Sequence, residues 1–192
     1  MKKLLALFAV LALAVSSRAE VETYKIDSVH SSVGFSLRHL VSKFSSSFTK
    51  VSGTIAYDAA APEKSTVEAT VEIGSVSTAN EKRDTHIKSA DFFDAAKFPS
   101  ASFKSTAWKK TGTDTYAVSG DLTIKDVTKP VVLKVVLLGA GPGMGGATLS
   151  GWEATLTIKK SEFGVTGPAM LSKALGDDVA LTINIEAGYK KA

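Results

Sequence analysis

Cysteine is absent from this chain of 192 residues. Disulfides, thiolate metal sites, cysteine nucleophiles and a lipid-modified N-terminal cysteine are therefore excluded, and the fold has to be held by its core. Histidine is scarce, with His30, His39 and His86 the full set of 3. No two of them stand at i, i+4 and none neighbours an acid at ligand spacing, so no metal site and no cofactor is expected. A G-x-S-x-G motif is also missing, and Asp84 near His86 is no triad without a positioned nucleophile. An enzyme is not the expectation.

Long apolar runs are confined to the N-terminus. Met1-Lys2-Lys3 is basic, Leu4 to Val15 is apolar, and Ser17-Arg18-Ala19 places small residues at a cleavage site. That is the layout of a secretory signal peptide, too short to span a bilayer. Residues 1–19 are expected to be removed, leaving 20–192 as one domain. Lys2, Lys3 and Arg18 leave with the signal and no acid does, so 20 bases face 19 acids. The net charge of +4 for the whole chain is thus no nucleic-acid footprint, and no Lys/Arg cluster restores one.

What remains is dominated by alternation. Val67, Ala69, Val71 and Ile73 alternate with Thr66, Glu68, Thr70 and Glu72. Trp152, Ala154, Leu156 and Ile158 oppose Glu153, Thr155, Thr157 and Lys159, and Val179, Leu181, Ile183 and Ile185 form a third set. Period two with one polar face predicts half-buried antiparallel strands. Further strands are expected over 23–27, 31–39, 51–58, 101–109, 116–125 and 130–138. About eight or nine strands at hairpin spacing favour a barrel or sandwich. Helix is predicted at one place, from Asn80 to about Ala90, with Asn80 as N-cap and Arg83, His86 and Ile87 at helical spacing. Gly141 to Gly146 matches G-x-G-x-x-G, but Thr148 to Gly151 leads into another strand where a dinucleotide site needs a helix, so a hairpin loop is expected.

The predicted inner face carries Phe35, Leu37, Ile55, Phe103, Tyr116, Val118, Leu122 and Ile124 besides the sets above. Interleaved with them are the small residues Gly53, Ala69, Ala101, Ser105, Ala107, Gly120, Ala154 and Ala187. Packed interiors tolerate few voids. Two readings follow: the small residues leave room for a ligand, which an eight-stranded barrel has the size to hold, or they allow close packing against another layer. His39 and Lys160 fall on inward parity at strand ends, hence at a barrel mouth. Each serves either as a head-group contact or as a strand-end cap or salt-bridge partner. The segment Asn80–Phe103 is charged and aromatic, with Phe92 and Phe93 side by side, and Arg83–Asp84 is expected to fix it by local hydrogen bonds.

Asp27-Ser-Val-His30-Ser-Ser-Val33-Gly-Phe35, followed by His39, Phe48 and Gly53, resembles the opening of the YceI-like, polyisoprenoid-binding, lipocalin-like proteins. So does Arg83-Asp84-Thr-His86-Ile87-Lys-Ser89-Ala-Asp91-Phe92-Phe93-Asp94, continuing to Phe98-Pro99 and Phe103. Leu122-Thr-Ile124, Val127-Thr-Lys-Pro130, Phe163-Gly164 and Asp178-Val179 keep the same order over nearly all of residues 20–192. The family usually has Gly at the positions of Ser46 and Asp126, and Arg at that of Lys160. A lysine there makes no planar bidentate contact, which puts an inherited head-group or Asp-pairing role in question.

The resemblance implies an all-β, eight-stranded antiparallel lipocalin-like barrel with one or two short helices covering an end. It implies export to the bacterial periplasm, with an extracellular location as the other outcome, and storage, transport or sequestration of a bound lipid such as a polyprenyl or quinone-like molecule. The expected lining is Phe35, Leu37, His39, Val71, Ile73, Phe92, Phe93, Phe103, Trp152, Ala154, Leu156, Ile158, Lys160, Leu181 and Ile183. The partner is the hydrophobic ligand, with transient membrane contact and a homodimer left open. A stress-related enzyme or an interaction module with a filled core is the alternative. The exported protein is expected to begin at Glu20. N-terminal sequencing of the periplasmic fraction checks this, and an intact Met1 there would contradict it.

Overall fold

Alternating sequence becomes eleven antiparallel strand segments in the computed structural model, which describes residues 21–189. The expected signal segment lies outside the described residues. The strands are β1 (Glu22–Ile26), β2 (Ser32–His39), β3 (Ser42–Phe48), β4 (Val51–Tyr57), β5 (Thr66–Glu72) and β6 (Val76–Ser77). They continue as β7 (Ser100–Gly112), β8 (Thr115–Ile124), β9 (Val127–Pro142), β10 (Thr148–Lys159) and β11 (Leu175–Tyr189). The helix α1 (Glu81–Lys88) sits between β6 and β7.

Pairing reduces the eleven segments to eight staves. β1 and β2 lie end to end along the same edge of β11, at Lys25↔Gly188 and at Val33↔Ile183. β3 and β4 pair in turn with β2 and β1, and β6 and β5 with β3 and β4. From β5 through β7 to β11 the chain is a simple meander, and the pairing of β1 with β11 closes it. The expected eight-stranded antiparallel barrel is therefore the fold.

The breaks have local causes. Asp27 Oδ1 accepts from Val29 N at 2.8 Å, which turns the chain after β1. Ser31 Oγ then donates to Glu186 O at 3.2 Å and accepts from Glu186 N at 3.1 Å, fastening the kink to β11. Between β3 and β4, the backbone N–H groups of Thr49 and Lys50 donate to Ser75 Oγ at 3.2 and 3.1 Å, so the second and third breaks satisfy each other.

One end of the barrel is filled. Tyr57 packs edge-on to Trp152 with ring centroids 5.0 Å apart, and its hydroxyl lies 2.8 Å from that of Tyr116. Trp108 packs against both Trp152 and Tyr116, and Trp152 Nε1 donates to Ser150 Oγ at 2.9 Å. Burial pushes the Tyr24 and Tyr57 phenols up in pKa, helped by a hydrogen bond to Glu22 and to Tyr116 respectively.

The other end is built differently. β6 extends from β3, and β7 pairs with β5, so the gap between them is bridged by α1 and residues 89–99. Asn80 caps α1 by accepting from Arg83 N at 3.0 Å, as the sequence predicts.

Two sequence expectations change. β3 was not predicted, because Ser42 to Phe48 is serine-rich and presents only Phe44 and Phe48 as apolar anchors. Alternation places Ala107 inward, but a bulge between Ser105 and Ala107 reverses the parity, so Ala107 is exposed and Trp108 buried.

Gly53 shows why some of the small residues are small. Its φ is 141°, and a Cβ there would lie 2.0 Å from Glu68 O. Gly53→Ala is expected to destabilise the barrel by about 2 kcal/mol or more, through backbone strain and loss of the β4–β5 approach. Urea denaturation checks this; a midpoint equal to that of the wild type would show that β4 shifts freely.

Candidate functional site

Between the aromatic plug and α1 the barrel encloses a cavity of about 490 Å³. A volume of this size lies within the range of small-molecule sites and far exceeds the voids of a packed core. The wall is apolar because every strand turns one face of its alternation inward.

All the residues singled out as lining stand on this wall. Phe35, Leu37 and His39 come from β2, Val71 from the end of β5 and Ile73 from the turn that follows it. Phe103 comes from β7, Leu181 and Ile183 from β11. Trp152, Ala154, Leu156 and Ile158 descend β10, and Lys160 follows it. Phe92 and Phe93 close over them from the segment after α1.

The small residues divide between the two readings. Ala69, Ala101 and Ala154 border open space. Gly120 instead seats a ring, since a Cβ there would meet Phe103 Cζ at 2.4 Å. Tyr116 belongs to the plug and is not on the cavity wall. Room in the bore is thus real but smaller than the count of small residues suggests.

Several lining residues were not legible in the sequence. Trp108 was hidden by the bulge, and its buried Nε1 has no hydrogen-bond partner among the described residues, lying amid the rings of Tyr57, Tyr116 and Trp152. Val131, Leu133 and Val135 alternate with Val132, Lys134 and Val136, two of which are also apolar, so parity is ambiguous. Phe163, Val165 and Leu171 come from the segment between β10 and β11, where no period exists to read, and Leu175 opens β11 before a register shift. The spacing of Arg83, His86 and Ile87 in α1 was the available signal for their shared face, which turns to the mouth.

The charged segment after β6 is a lid held by its own polar groups. Arg83 donates from Nε to Thr78 Oγ1 at 2.9 Å and from Nη2 to Thr78 O at 2.7 Å. Asp84 Oδ1 accepts from Thr78 N at 2.8 Å, and His86 Nε2 lies 2.7 Å from Asp91 Oδ2. Asp94 N donates to Ser89 O at 2.8 Å. These bonds aim Phe93 at Phe48, with centroids 5.6 Å apart, and Phe92 at His86, 5.1 Å apart. Phe92 also fills the space above Gly167, where a Cβ would lie 2.6 Å from its ring. Lys125 Nζ, from the β8–β9 turn, then ties Phe92 O at 3.2 Å to Gly164 O at 3.1 Å.

The charged side chains that line the mouth, Lys43, Arg83 and Lys160, are all basic; His39 and His86 stand beside them, and among the described residues no carboxylate lines the cavity. His39 is exposed at the rim, while half-buried Lys160 donates to Thr166 O at 3.1 Å. Lys160 therefore caps a backbone carbonyl as well as facing the cavity.

The expectation that no histidine has an acid at ligand reach is corrected. His30 Nδ1 lies 2.8 Å from Asp27 Oδ2 and 3.6 Å from Glu186 Oε1. The kink after β1 and the register of β11 bring together residues that are remote in sequence. This trio is a candidate cation cluster by its donor set, but it lies off the cavity and already clasps β11 to the β1–β2 kink.

The clasp has a sign in pH. The His30 hydrogen bond holds the Asp27 carboxyl below its ordinary value of 3.8, and the same bond to Asp27 raises His30 above 6.5. The Asp27 contribution is present above about 3.8 and lost as pH falls through its lowered value. That of His30 is complete below 6.5 and lost as pH rises through its raised value. The excess stability of the wild type over His30→Gln is thus expected to be greatest between about pH 4 and 6.5 and to shrink above it. Denaturation midpoints across pH check this; a difference that grows with alkalinity would contradict the clasp.

A family model for the YceI-like domain matches residues 24–187. A UPF0312 protein of Pseudomonas savastanoi pv. phaseolicola is 39% identical over 182 residues, covering 93% of this chain and 95% of its own. Among solved structures, the Campylobacter jejuni YCEI protein superposes with a TM-score of 0.70 at 32% identity, covering 79% of this chain and 88% of its own. Burkholderia cenocepacia BcnA gives 0.74 at 23% identity over 84% of this chain and 98% of its own. A polyisoprenoid binding domain from Saccharophagus degradans gives 0.65 at 14% identity over 85% and 97%. The last two bear on the fold alone.

Proposed function

The chain belongs to the YceI-like family, and from that premise we propose that it carries a long-chain isoprenoid or comparable amphipathic lipid, polyprenyl or quinone-like, in its bore. In this reading it is exported to the bacterial periplasm and serves storage, transport or sequestration of that lipid. The observation that carries the proposal is the bore itself, apolar along its wall, plugged at one end and bordered by cations at the other. The Saccharophagus degradans domain that shares the fold is a polyisoprenoid binding domain, which agrees with it.

The reading implies an orientation. An apolar tail lies toward Trp108 and Trp152, and the polar head stays at the mouth beside Lys43, Arg83 and Lys160. A head that accepts hydrogen bonds or bears negative charge suits these donors. Binding without catalysis fits the polar groups at the mouth. Asp84 is engaged by Thr78 N, and His86 by Asp91.

Magnitudes favour a carrier. Burying a chain of roughly forty carbons from water is worth about 30 kcal/mol at ~0.8 kcal/mol per methylene. That exceeds the practical ceiling of about 18–21 kcal/mol, so ordering of chain and lid must oppose much of it. Against a membrane the apolar gain nearly cancels, which leaves head contacts and shape to set loading.

Ala154 supplies the test, since it borders the cavity between Trp152 and Leu156. Ala154→Trp is expected to occupy the bore and abolish co-purified lipid in native mass spectrometry, while the circular dichroism stays β-rich. Its stability cost should fall below the roughly 1–3 kcal/mol of overpacking a filled core. Thr155→Phe, on the outward face, should keep the lipid. A well-folded Ala154→Trp protein with wild-type lipid content would sink the proposal.

A further inference from the structure

Two loops beside the cavity mouth break the usual chemistry of exposed turns. The β2–β3 hairpin closes through the pair His39↔Ser42, leaving Leu40 and Val41 as its tip. Leu40 has φ 50°, a conformation for which Gly or Asn is favoured. The two side chains are 55% and 104% exposed. On the neighbouring loop, Met170 stands 85% exposed on the turn Ala169–Leu171. The loops are joined, because Leu40 N donates to Ala174 O at 2.7 Å and His39 pairs with Leu175. Each tip is also adjacent to the bore, since His39, Ser42, Leu171 and Leu175 line it.

The charge at these tips is mainly basic, although Asp178 lies in a surface pocket beside Arg38 and Lys43. Arg38, His39 and Lys43 flank the first and Lys173 the second, while residues 28–57 and 163–176 contain no Asp or Glu. The acids nearest to the second loop in the chain are engaged. Asp177 accepts from Ser161 Oγ at 2.7 Å, Asp178 pairs with Lys159 at 3.0 Å and Glu162 with Lys129 at 3.3 Å. Apolar tips within a basic rim match an anionic bilayer surface, where side chains enter the head-group layer and cations meet lipid phosphates.

We propose that Leu40, Val41 and Met170, with Arg38, Lys43 and Lys173, dock the mouth on an anionic phospholipid surface. A lipid then passes between bilayer and bore without crossing water. This rests on the bore being a lipid site, and it adds where the lipid is exchanged. The backbone bond from Leu40 to Ala174 keeps the two tips together as one foot.

The test uses the signal-free chain, residues 20–192, and vesicles of phosphatidylglycerol mixed with phosphatidylcholine. Co-sedimentation is expected for the wild type, weakening as salt rises. Val41→Asp combined with Met170→Glu should lower vesicle affinity about tenfold or more, and Lys173→Glu about fivefold. None of these residues lines the bore, so lipid content by native mass spectrometry should remain that of the wild type. Ala154→Trp should show the reverse, an empty bore with vesicle binding kept, which separates failure of the bore from failure of the foot. Unchanged affinity in both tip variants, or equal binding to pure phosphatidylcholine, overturns the proposal. So does absence of wild-type binding to any vesicle, which would leave the tips to a protein partner.

Discussion

Closure of β11 onto β1 and β2 is the constraint on which the rest of the molecule depends. A barrel with an open bore lacks the side-chain contacts that normally fill a core, and this chain has no disulfide to replace them. Stability must reside in the wall. Closing the meander pairs the backbone groups of both edges, so the inner face can be largely apolar without leaving unpaired backbone groups against it. The kink fastened by Asp27 and Ser31 lets one strand edge serve both halves of that seam. Without it, β1 could not reach the end of β11 while β2 covers its beginning.

Once the wall is closed, the two ends diverge for physical reasons. At the plugged end large rings fill the section, and the hydroxyls of Tyr57 and Tyr116 satisfy each other at 2.8 Å. At the mouth the sheet is interrupted between β6 and β7, and a short helix with its following loop spans the gap. The lid gains order from local polar bonds, with the Arg83–Thr78–Asp84 set as its anchor. Lys125 then links it to the loop after β10. Elements tied by a few exposed hydrogen bonds open more readily than strands within a continuous ladder. The geometry thus places its least cooperative part where a long ligand would have to pass.

The cationic mouth follows from the same division. Outward strand faces pair opposite charges, as in Lys104 with Glu68 at 2.7 Å and Lys50 with Glu72 at 3.3 Å. Around the mouth Asp84 and Asp91 turn to lid contacts and Asp178 to Lys159, and Lys43, Arg83 and Lys160 are left facing the bore or its rim. The described residues, in which bases and acids balance, in this way acquire a local field that their net charge does not reveal.

The sequence by itself determined the strand class, the inward residues of β2, β5, β10 and β11, the α1 cap at Asn80 and the apolar character of the wall. All are consequences of local periodicity or of a side chain bonding its own backbone, so they need no knowledge of neighbours. Only the tertiary structure decided the parity of Trp108, which depends on a bulge against β8, and the pairing of serine-rich β3, which β2 and β6 supply. It also decided that Gly53 and Gly120 yield to a backbone and a ring while Ala154 yields to open space. The clasp of His30 with Glu186 depends on register across 156 residues of chain. Period two states which way a side chain points, but what it meets there is fixed by strands far away in sequence.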